Sequence, residues 1–431
     1  MRFAIRTLGC KVNRYEEQVL RENLERSGFR ETSLKEADLF IVNSCTVTEK
    51  ADLKTRKLIR KARKENPEAR IIVTGCYAVF PEDISRLESM DEVFRVVPLR
   101  DKMKLPLIVS RSFGGGEQGG HVDEKVTAFG GHTRAFLKVQ DGCDQGCAYC
   151  KVSLVRGPSR SRDEDDILDE VKRLSGSGYR EIVITGICLG SWKTEKKKGL
   201  SGLLRLIERL PGDFRVRLSS IEPQQIDEEL VDLMSSSERV CRHLHIPLQS
   251  GSDRVLKLMN RRYTTGWFKE KIESIRKKMP LAGITMDVIA GFPGETEEDL
   301  DLTKRFLEQV RPSRLHVFKY SDRKGTRAYK AAGKVSSVEA KNRVEKLISL
   351  GRHLQREFAI RFIGRPVDVM VEEKGKGGFL EGYTGEYVRV RLEGFDGAEG
   401  DILKVVSHSL EEDECLLRVK RPSQEVVNTH G

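Results

Sequence analysis

The stretch Cys143-Asp144-Gln145-Gly146-Cys147-Ala148-Tyr149-Cys150 decides how this chain is read. Three cysteines fall within eight residues at C-x3-C-x2-C spacing, so one short loop can wrap three thiolates around a single metal centre. A closed structural zinc site takes four ligands. No fourth Cys or His lies close by; the nearest, His132, is eleven residues upstream. Three thiolates on a four-iron, four-sulfur cluster would leave one iron open to a substrate or cofactor. Zinc, or three buried structural thiols, are the other readings of this spacing. The chain has nine cysteines and no export signal, so metal and redox roles rank above disulfides.

Outward from this loop the pattern is a βα series. A strand over 135–140 precedes the cysteines, and further strands are predicted at 181–185, 215–219, 243–247, 284–289 and 314–318. Helices such as 164–175 and 268–278 separate them. Six βα units predict a partial barrel of parallel strands, with chemistry at the strands' C-terminal ends. A helix over 337–362 follows. Then 366–372, 387–392 and 403–406 alternate apolar and polar residues, which predicts a small antiparallel β-barrel. Upstream, the glycine-rich run 111–133 reads as a flexible linker or as a loop over a site. The first hundred residues alternate strands (3–7, 38–43, 70–74) with helices (15–26, N-capped by Asn13, and 54–64). That alternation predicts a parallel sheet covered on both faces. The fold class is therefore α/β. The expected units are 1–110, a linker 111–133, a barrel 134–362 and a small β domain 363–425.

Cys10, Cys45 and Cys76 each fall just after a predicted N-terminal strand. Parallel strands end along one edge, so the three thiols can converge there, and Gly9 and Gly75 permit tight turns. A second three-cysteine cluster is one reading; three unrelated strand-end thiols is the other. Cys188, Cys241 and Cys415 have no partners at metal spacing and read as structural.

Hydrophobic residues make up 38% of the 431 and charged residues 33%. This balance excludes a disordered chain, and no apolar run approaches the ~18 residues of a membrane span. The residues from Met1 to Thr7 lack a secretory apolar region, so a cytoplasmic protein without a membrane partner is expected. The net charge of +11 suggests a polyanion, although a solvated basic surface would look the same. The charge is uneven. Residues 1–100 carry 20 basic and 16 acidic groups, 101–364 carry 48 and 36, and 365–431 carry 9 and 14. The densest cluster runs from Lys50 to Lys64, on a predicted basic helix that is a candidate for phosphate contacts.

With these residues in view, the chain resembles the methylthiotransferase family of radical S-adenosylmethionine enzymes. The three-cysteine loop with a tyrosine before its last Cys is similar to the radical enzymes' signature. Thr7-Leu8-Gly9-Cys10-Lys11-Val12-Asn13, Asn43-Ser44-Cys45-Thr46-Val47-Thr48 and Thr74-Gly75-Cys76-Tyr77-Ala78 look like the family's N-terminal cysteine motifs. Arg156-Gly157-Pro158-Ser159-Arg160, His245-Ile246-Pro247-Leu248-Gln249 and Asp287-Val288-Ile289-Ala290-Gly291-Phe292-Pro293 are also family-like. One departure is Lys151-Val152-Ser153, where many members carry a proline. The C-terminal part resembles a TRAM domain, an RNA-binding module.

The resemblance implies two 4Fe–4S clusters. One, on Cys143, Cys147 and Cys150, would bind S-adenosylmethionine and cleave it to a radical after one-electron reduction. The other, on Cys10, Cys45 and Cys76, would hold the incoming sulfur, which a second S-adenosylmethionine methylates. The N-terminal motif looks most like the branch that modifies C2 of N6-threonylcarbamoyladenosine at tRNA position 37. Neighbouring branches act on isopentenyladenosine in tRNA and on a ribosomal-protein aspartate; the acidic C-terminal segment argues for the latter. A non-enzymatic, metal-stabilised RNA-binding protein is a further alternative. Thr185 and Gly186 are expected to meet the cofactor's amino group through backbone. Glu222 and Gln249 are expected at its polar parts, and Gly291 near its adenine. Expected partners are the tRNA anticodon loop, met by Arg261-Arg262-Tyr263 and the basic helix, and a low-potential electron donor such as flavodoxin or ferredoxin. The sulfur donor is left open.

Overall fold

The computed structural model describes residues 1–114, 122–193, 199–375, 377–411 and 415–421. The N-terminal unit comprises β1 (Arg2–Thr7), α1 (Lys11–Arg26), β2 (Arg30–Glu31), β3 (Leu39–Ser44), α2 (Glu49–Glu65), β4 (Arg70–Gly75), α3 (Pro81–Glu88), β5 (Val93–Val96) and α4 (Leu105–Phe113). Its five strands lie in the order β2-β1-β3-β4-β5, all parallel. The period of two explains the two cores: Leu39 and Ile41 face one side of the sheet, Phe40 and Val42 the other, and all four are buried.

Both helix starts are earlier than the sequence pattern suggests. Asn13 is not the cap of α1; Cys10 is. Asn13 is buried in the first turn and donates to the carbonyls of Leu8 (2.8 Å) and Ser44 (3.1 Å). Those bonds tie together two cysteine-bearing loops, a long-range use that local pattern cannot show. The basic helix α2 is capped by Thr48, which accepts from the Ala51 N–H. Its Leu53 is exposed, whereas Ile59 and Ala62 are buried.

The central unit runs β6 (Ala135–Lys138), β7 (Gln140–Asp141), α5 (Val152–Arg156), β8 (Arg160–Ser161), α6 (Glu164–Gly176), β9 (Glu181–Thr185), α7 (Leu200–Glu208), β10 (Arg215–Leu218), α8 (Glu228–Ser236), β11 (His243–His245), α9 (Asp253–Leu258), α10 (Thr265–Lys278), β12 (Gly283–Ala290), α11 (Glu297–Val310), β13 (Arg314–Lys319) and α12 (Ser337–Ile360). Parallel pairings order the major strands β6-β9-β10 and β11-β12-β13, and bridges at Val216–Val240 and Ser220–His245 join the halves. This is the six-strand open barrel. Tyr15 and Val19 of α1 belong to its core, so the two units share one apolar interior.

The described part of the glycine-rich run is pinned, not loose. Asn23 pairs with both backbone groups of Asp123, the Tyr15 hydroxyl donates to the Glu124 carbonyl, and Val126 and Phe129 are buried. Four of its glycines, within 115–121, lie outside the described residues.

The C-terminal unit contains β14 (Pro366–Lys374), β15 (Leu380–Tyr383), β16 (Arg389–Glu393), β17 (Ile402–Val406), β18 (Ser409–Glu411) and β19 (Leu416–Lys420), in the order β17-β14-β15-β16-β19-β18. It is mixed, which corrects the expected antiparallel barrel: β19 runs parallel to β16. After β16 the chain crosses to pair β17 with β14 at the far edge. It returns through the β18–β19 hairpin, so its last strand lies beside β16 in the same direction. The β15–β16 turn closes the N-terminal end of the barrel. There Arg215 donates to the carbonyls of Asp368 and Tyr383, and Arg217 to those of Thr384 and Gly385. Among the described residues no helix is long and apolar enough to cross a membrane.

Candidate active site

Cys10, Cys45 and Cys76 meet at one edge of the N-terminal sheet. Their strands are adjacent and in register, with Thr7 opposite Asn43 and Asn43 opposite Thr74. The loops are sterically determined. Gly75 has φ +97°, and a Cβ there would lie 2.5 Å from the Ser44 carbonyl oxygen. At Gly9, φ +115°, a Cβ would lie 3.1 Å from Cys45 Sγ. Neither position admits a side chain without moving a cysteine loop. Burial, then the neighbouring Cys76 and Cys10, pushes the Cys45 thiol up to about 12. Such a thiol ionises only when a metal supplies compensating charge.

Cys143, Cys147 and Cys150 lie on the loop between β7 and α5. Each sulfur accepts a hydrogen bond: Cys143 from the Gln145 N–H (3.5 Å), Cys150 from the Val152 N–H (3.4 Å), Cys147 from Arg261 Nη1 (3.2 Å). Arg261 is held in turn by the Glu222 carboxylate. Burial pushes the Cys150 thiol up to about 11. Donors aimed at three sulfurs fit an iron–sulfur cluster, whose charge and potential such bonds tune. Among the described residues no three His, Cys, Asp or Glu side chains are gathered tightly enough for a single metal ion.

A buried ion cluster joins the triads. Glu16 on α1 binds Arg156 (3.0 Å), Lys138 (3.3 Å) and Lys102, and Arg156 also reaches Asn13 Oδ1 (2.5 Å). Burial alone would push the Glu16 carboxyl up, but Arg156, Lys102 and Lys138 outweigh it and hold it well below the usual range. Arg156 ends the helix that follows the second triad, and Asn13 sits beside Cys76. The clamp thus fixes one cysteine set relative to the other.

Between the units lies a cavity of about 700 Å3. Cys10, Cys45 and Cys76 line it, with Thr185, Gly186 and Ser219 at barrel strand ends and His243, His245 and Tyr387. The second triad is not on this wall; Lys151, Val152 and Val155, which follow it in the chain, are. Buried Ser219 Oγ and His243 Nδ1 have no hydrogen-bond partner there. Lys11 also lines the wall, and burial holds its ammonium pKa below the usual lysine value.

Thr185 and Gly186 thus stand where a cofactor or substrate is accessible. Gln249 is buried at φ +71°, its Oε1 has no partner among the described residues, and it does not line the cavity. Glu222 meets the second triad only through Arg261. At Gly291, φ +77°, a Cβ would lie 2.5 Å from Ala340 Cβ, so the packing of α12 by itself requires glycine there. One expectation is corrected, the solvent-facing run from Arg261 to Tyr263. Arg261 and Tyr263 are buried against Glu222, Cys147 and the Pro247 and Leu248 carbonyls, so of that run only Arg262 faces solvent. Cys188, read as structural, is buried, and its sulfur accepts from the side-chain amides of Gln225 (3.2 Å) and Gln145 (3.9 Å), the latter in the loop of the second triad. Sequence reasoning missed Glu16, Arg217 and Tyr387. Only a buried charge in an otherwise apolar periodic pattern hinted at the first two.

The Radical SAM superfamily model matches residues 137–307, and the Uncharacterized protein family UPF0004 model matches residues 2–95. The chain is 38% identical over 415 residues to the threonylcarbamoyladenosine tRNA methylthiotransferase MtaB of Thermotoga maritima, covering 94% of this chain and 95% of that protein. It is 36% identical over 420 residues to the MtaB protein of Bacillus subtilis, covering 93% and 92%. The tRNA-2-methylthio-N(6)-dimethylallyladenosine synthase of Acetivibrio thermocellus is 33% identical over 389 residues, covering 87% and 81%. Among solved structures, the radical S-adenosylmethionine methyltransferase TsrM of Kitasatospora setae aligns with TM-score 0.51 and 15% identity over 74% of each chain, a likeness of fold.

Proposed function

This chain belongs to the threonylcarbamoyladenosine tRNA methylthiotransferase family, and from that premise we propose which of its residues carry the reaction. It is a radical S-adenosylmethionine enzyme that methylthiolates C2 of N6-threonylcarbamoyladenosine at position 37 of tRNA, and its cofactors are S-adenosylmethionine and 4Fe–4S clusters. The observation that carries the residue assignment is the pair of three-cysteine sets, fixed to each other by the Glu16–Arg156 clamp beside one cavity.

Cys143, Cys147 and Cys150 would hold the cluster that binds S-adenosylmethionine, and Cys10, Cys45 and Cys76 the auxiliary cluster. When bound, these groups supply the one-electron chemistry and the sulfur that an unactivated purine C–H requires, which no side-chain base can provide. The protein's own contribution is placement. Arg261 orients Cys147 and is itself oriented by Glu222. The backbone of Thr185 and Gly186 and the side chain of Gln249 offer polar groups to the cofactor. The cavity takes a base splayed from a single-stranded loop and keeps water from it. Lys50, Lys54, Lys57, Arg60, Lys61 and Lys64 are exposed on α2, which begins at the cavity rim just after Val47, and they would hold the anticodon-loop phosphates. The electron would come from a low-potential flavodoxin or ferredoxin in the cytoplasm, where tRNA is modified.

Anaerobically purified enzyme should contain about eight irons and, given reductant, S-adenosylmethionine and threonylcarbamoyladenosine-containing tRNA, yield the 2-methylthio nucleoside by mass spectrometry of digested tRNA. Cys147→Ala should abolish cofactor cleavage. Cys45→Ala should keep some cleavage and make no product. Full product from either variant would refute its role.

A further inference from the structure

The cavity wall carries five permanent cations, Lys11, Arg134, Lys151, Arg156 and Arg217, and neither Asp nor Glu. Four are neutralised from behind. Arg134 and Arg217 bind Glu181, Lys151 binds Asp83, and Arg156 binds Glu16 and Asp141. Lys11 alone makes no hydrogen bond or ion pair among the described residues. It lines the same cavity as Tyr387, Arg134, Arg217, His243 and His316. Lys11 is exposed to the cavity, so a ligand that fills it must bring an anion or leave the ammonium desolvated and unpaired. Ser219 Oγ is buried on the same cavity wall without a partner among the described residues.

We propose that Lys11 is the specificity residue of this site and pairs with the carboxylate of the threonylcarbamoyl group. The inference rests on the functional reading above and adds which atom of the substrate is read. RNA phosphates belong to the backbone and stay at the cavity mouth when a base is splayed inward. The group that enters the cavity with the base is the N6 substituent, whose single charge is its threonyl carboxylate. Ser219 and Ser220 are placed to meet the substituent's hydroxyl and carbonyl. The same lysine rejects a neutral isopentenyl substituent, which would leave the ammonium desolvated and unpaired.

The test compares anticodon stem-loops carrying threonylcarbamoyladenosine as the free acid or as its methyl ester, with affinity measured on cluster-loaded enzyme. Wild type should prefer the acid by about ten- to a hundredfold, the range of one charge-assisted hydrogen bond. Lys11→Met should bring the ratio to near one by weakening the acid alone, and Lys11→Arg should retain most of it. Iron content and visible absorbance check that Cys10, next in the chain, still holds its cluster. The wild-type ratio needs no substitution, so poor loading of a variant does not remove the test. A wild type without preference, or Lys11→Met with the preference intact, overturns the proposal. So does Lys11→Met that loses affinity for S-adenosylmethionine while keeping the ratio, which would assign the lysine to the cofactor's carboxylate. Failure of wild type to convert the free-acid stem-loop at all would instead refute the substrate assignment itself.

Discussion

His243 lies under the cavity, stacked on Tyr387 with ring centroids 4.8 Å apart and bonded through Nε2 to Thr285 Oγ1 at 3.1 Å. Burial, reinforced by Arg217, holds its pKa well below the ordinary 6.5. The folded ring therefore stays neutral where the unfolded ring takes up a proton. Its contribution to stability is present above pH about 6.5 and is lost as the pH falls toward the folded-state value, at about 1.4 kcal/mol per pH unit. His243→Phe keeps the stack and removes the titration, so its unfolding free energy should fall less steeply between pH 6.5 and 5 in urea titrations. An acid limb parallel to wild type would show that other groups govern it. No sequence pattern marks this histidine, because its partner Tyr387 is far along the chain in another unit.

Among the elements, α1 carries the most cross-unit structure. One side packs Leu20 and Leu24 on the N-terminal sheet, another packs Tyr15 and Val19 in the barrel core, and Glu16 anchors the ion cluster between them. Glu16→Gln removes the only carboxylate that binds both Lys102 and Arg156 among the described residues. Removing one partner of a buried network leaves uncompensated charge, so stability should drop by about 3–5 kcal/mol, read from the urea midpoint. Iron loading at both triads should suffer with it. An unchanged midpoint would mean that apolar packing alone joins the units. The amphipathic pattern of α1 is legible in the sequence. Its earlier start and its double role are not, because Asn13 and Glu16 act on groups more than thirty residues away.

Across the whole molecule, charge and chemistry sit together. The first hundred residues have 20 basic against 16 acidic groups and the central segment 48 against 36, whereas residues 365–431 have 9 against 14. The C-terminal sheet spends many of its charges internally, as Glu381 does on Arg389 and Arg391. Bulk attraction for tRNA thus falls to the body that bears the cysteines, with α2 at the cavity rim. Neutralising Lys54, Lys57 and Lys61 together should weaken tRNA binding. It should also shrink the slope of log affinity against log salt by about 0.7–0.9 for each lysine on a phosphate. A slope unchanged in the triple variant would place the RNA elsewhere.

The six βα units, the parallel N-terminal sheet and the spacing of both cysteine sets were legible in the sequence alone. These follow from local spacing and from side-chain periods of two and 3.6, which the chain carries in its own order. Even the convergence of Cys10, Cys45 and Cys76 was legible, because parallel strands must end on one edge. Only the tertiary structure decided what those cysteines face: the Glu16–Arg156 clamp, Arg261 on Cys147, the parallel β16–β19 pair and the floor made by Tyr387. It also set Gly291 against Ala340 of α12 and left Lys11 on the cavity wall without a partner among the described residues. Each of these depends on groups that are distant in sequence and meet through packing and burial, and burial is what turns an ordinary charge into a constraint.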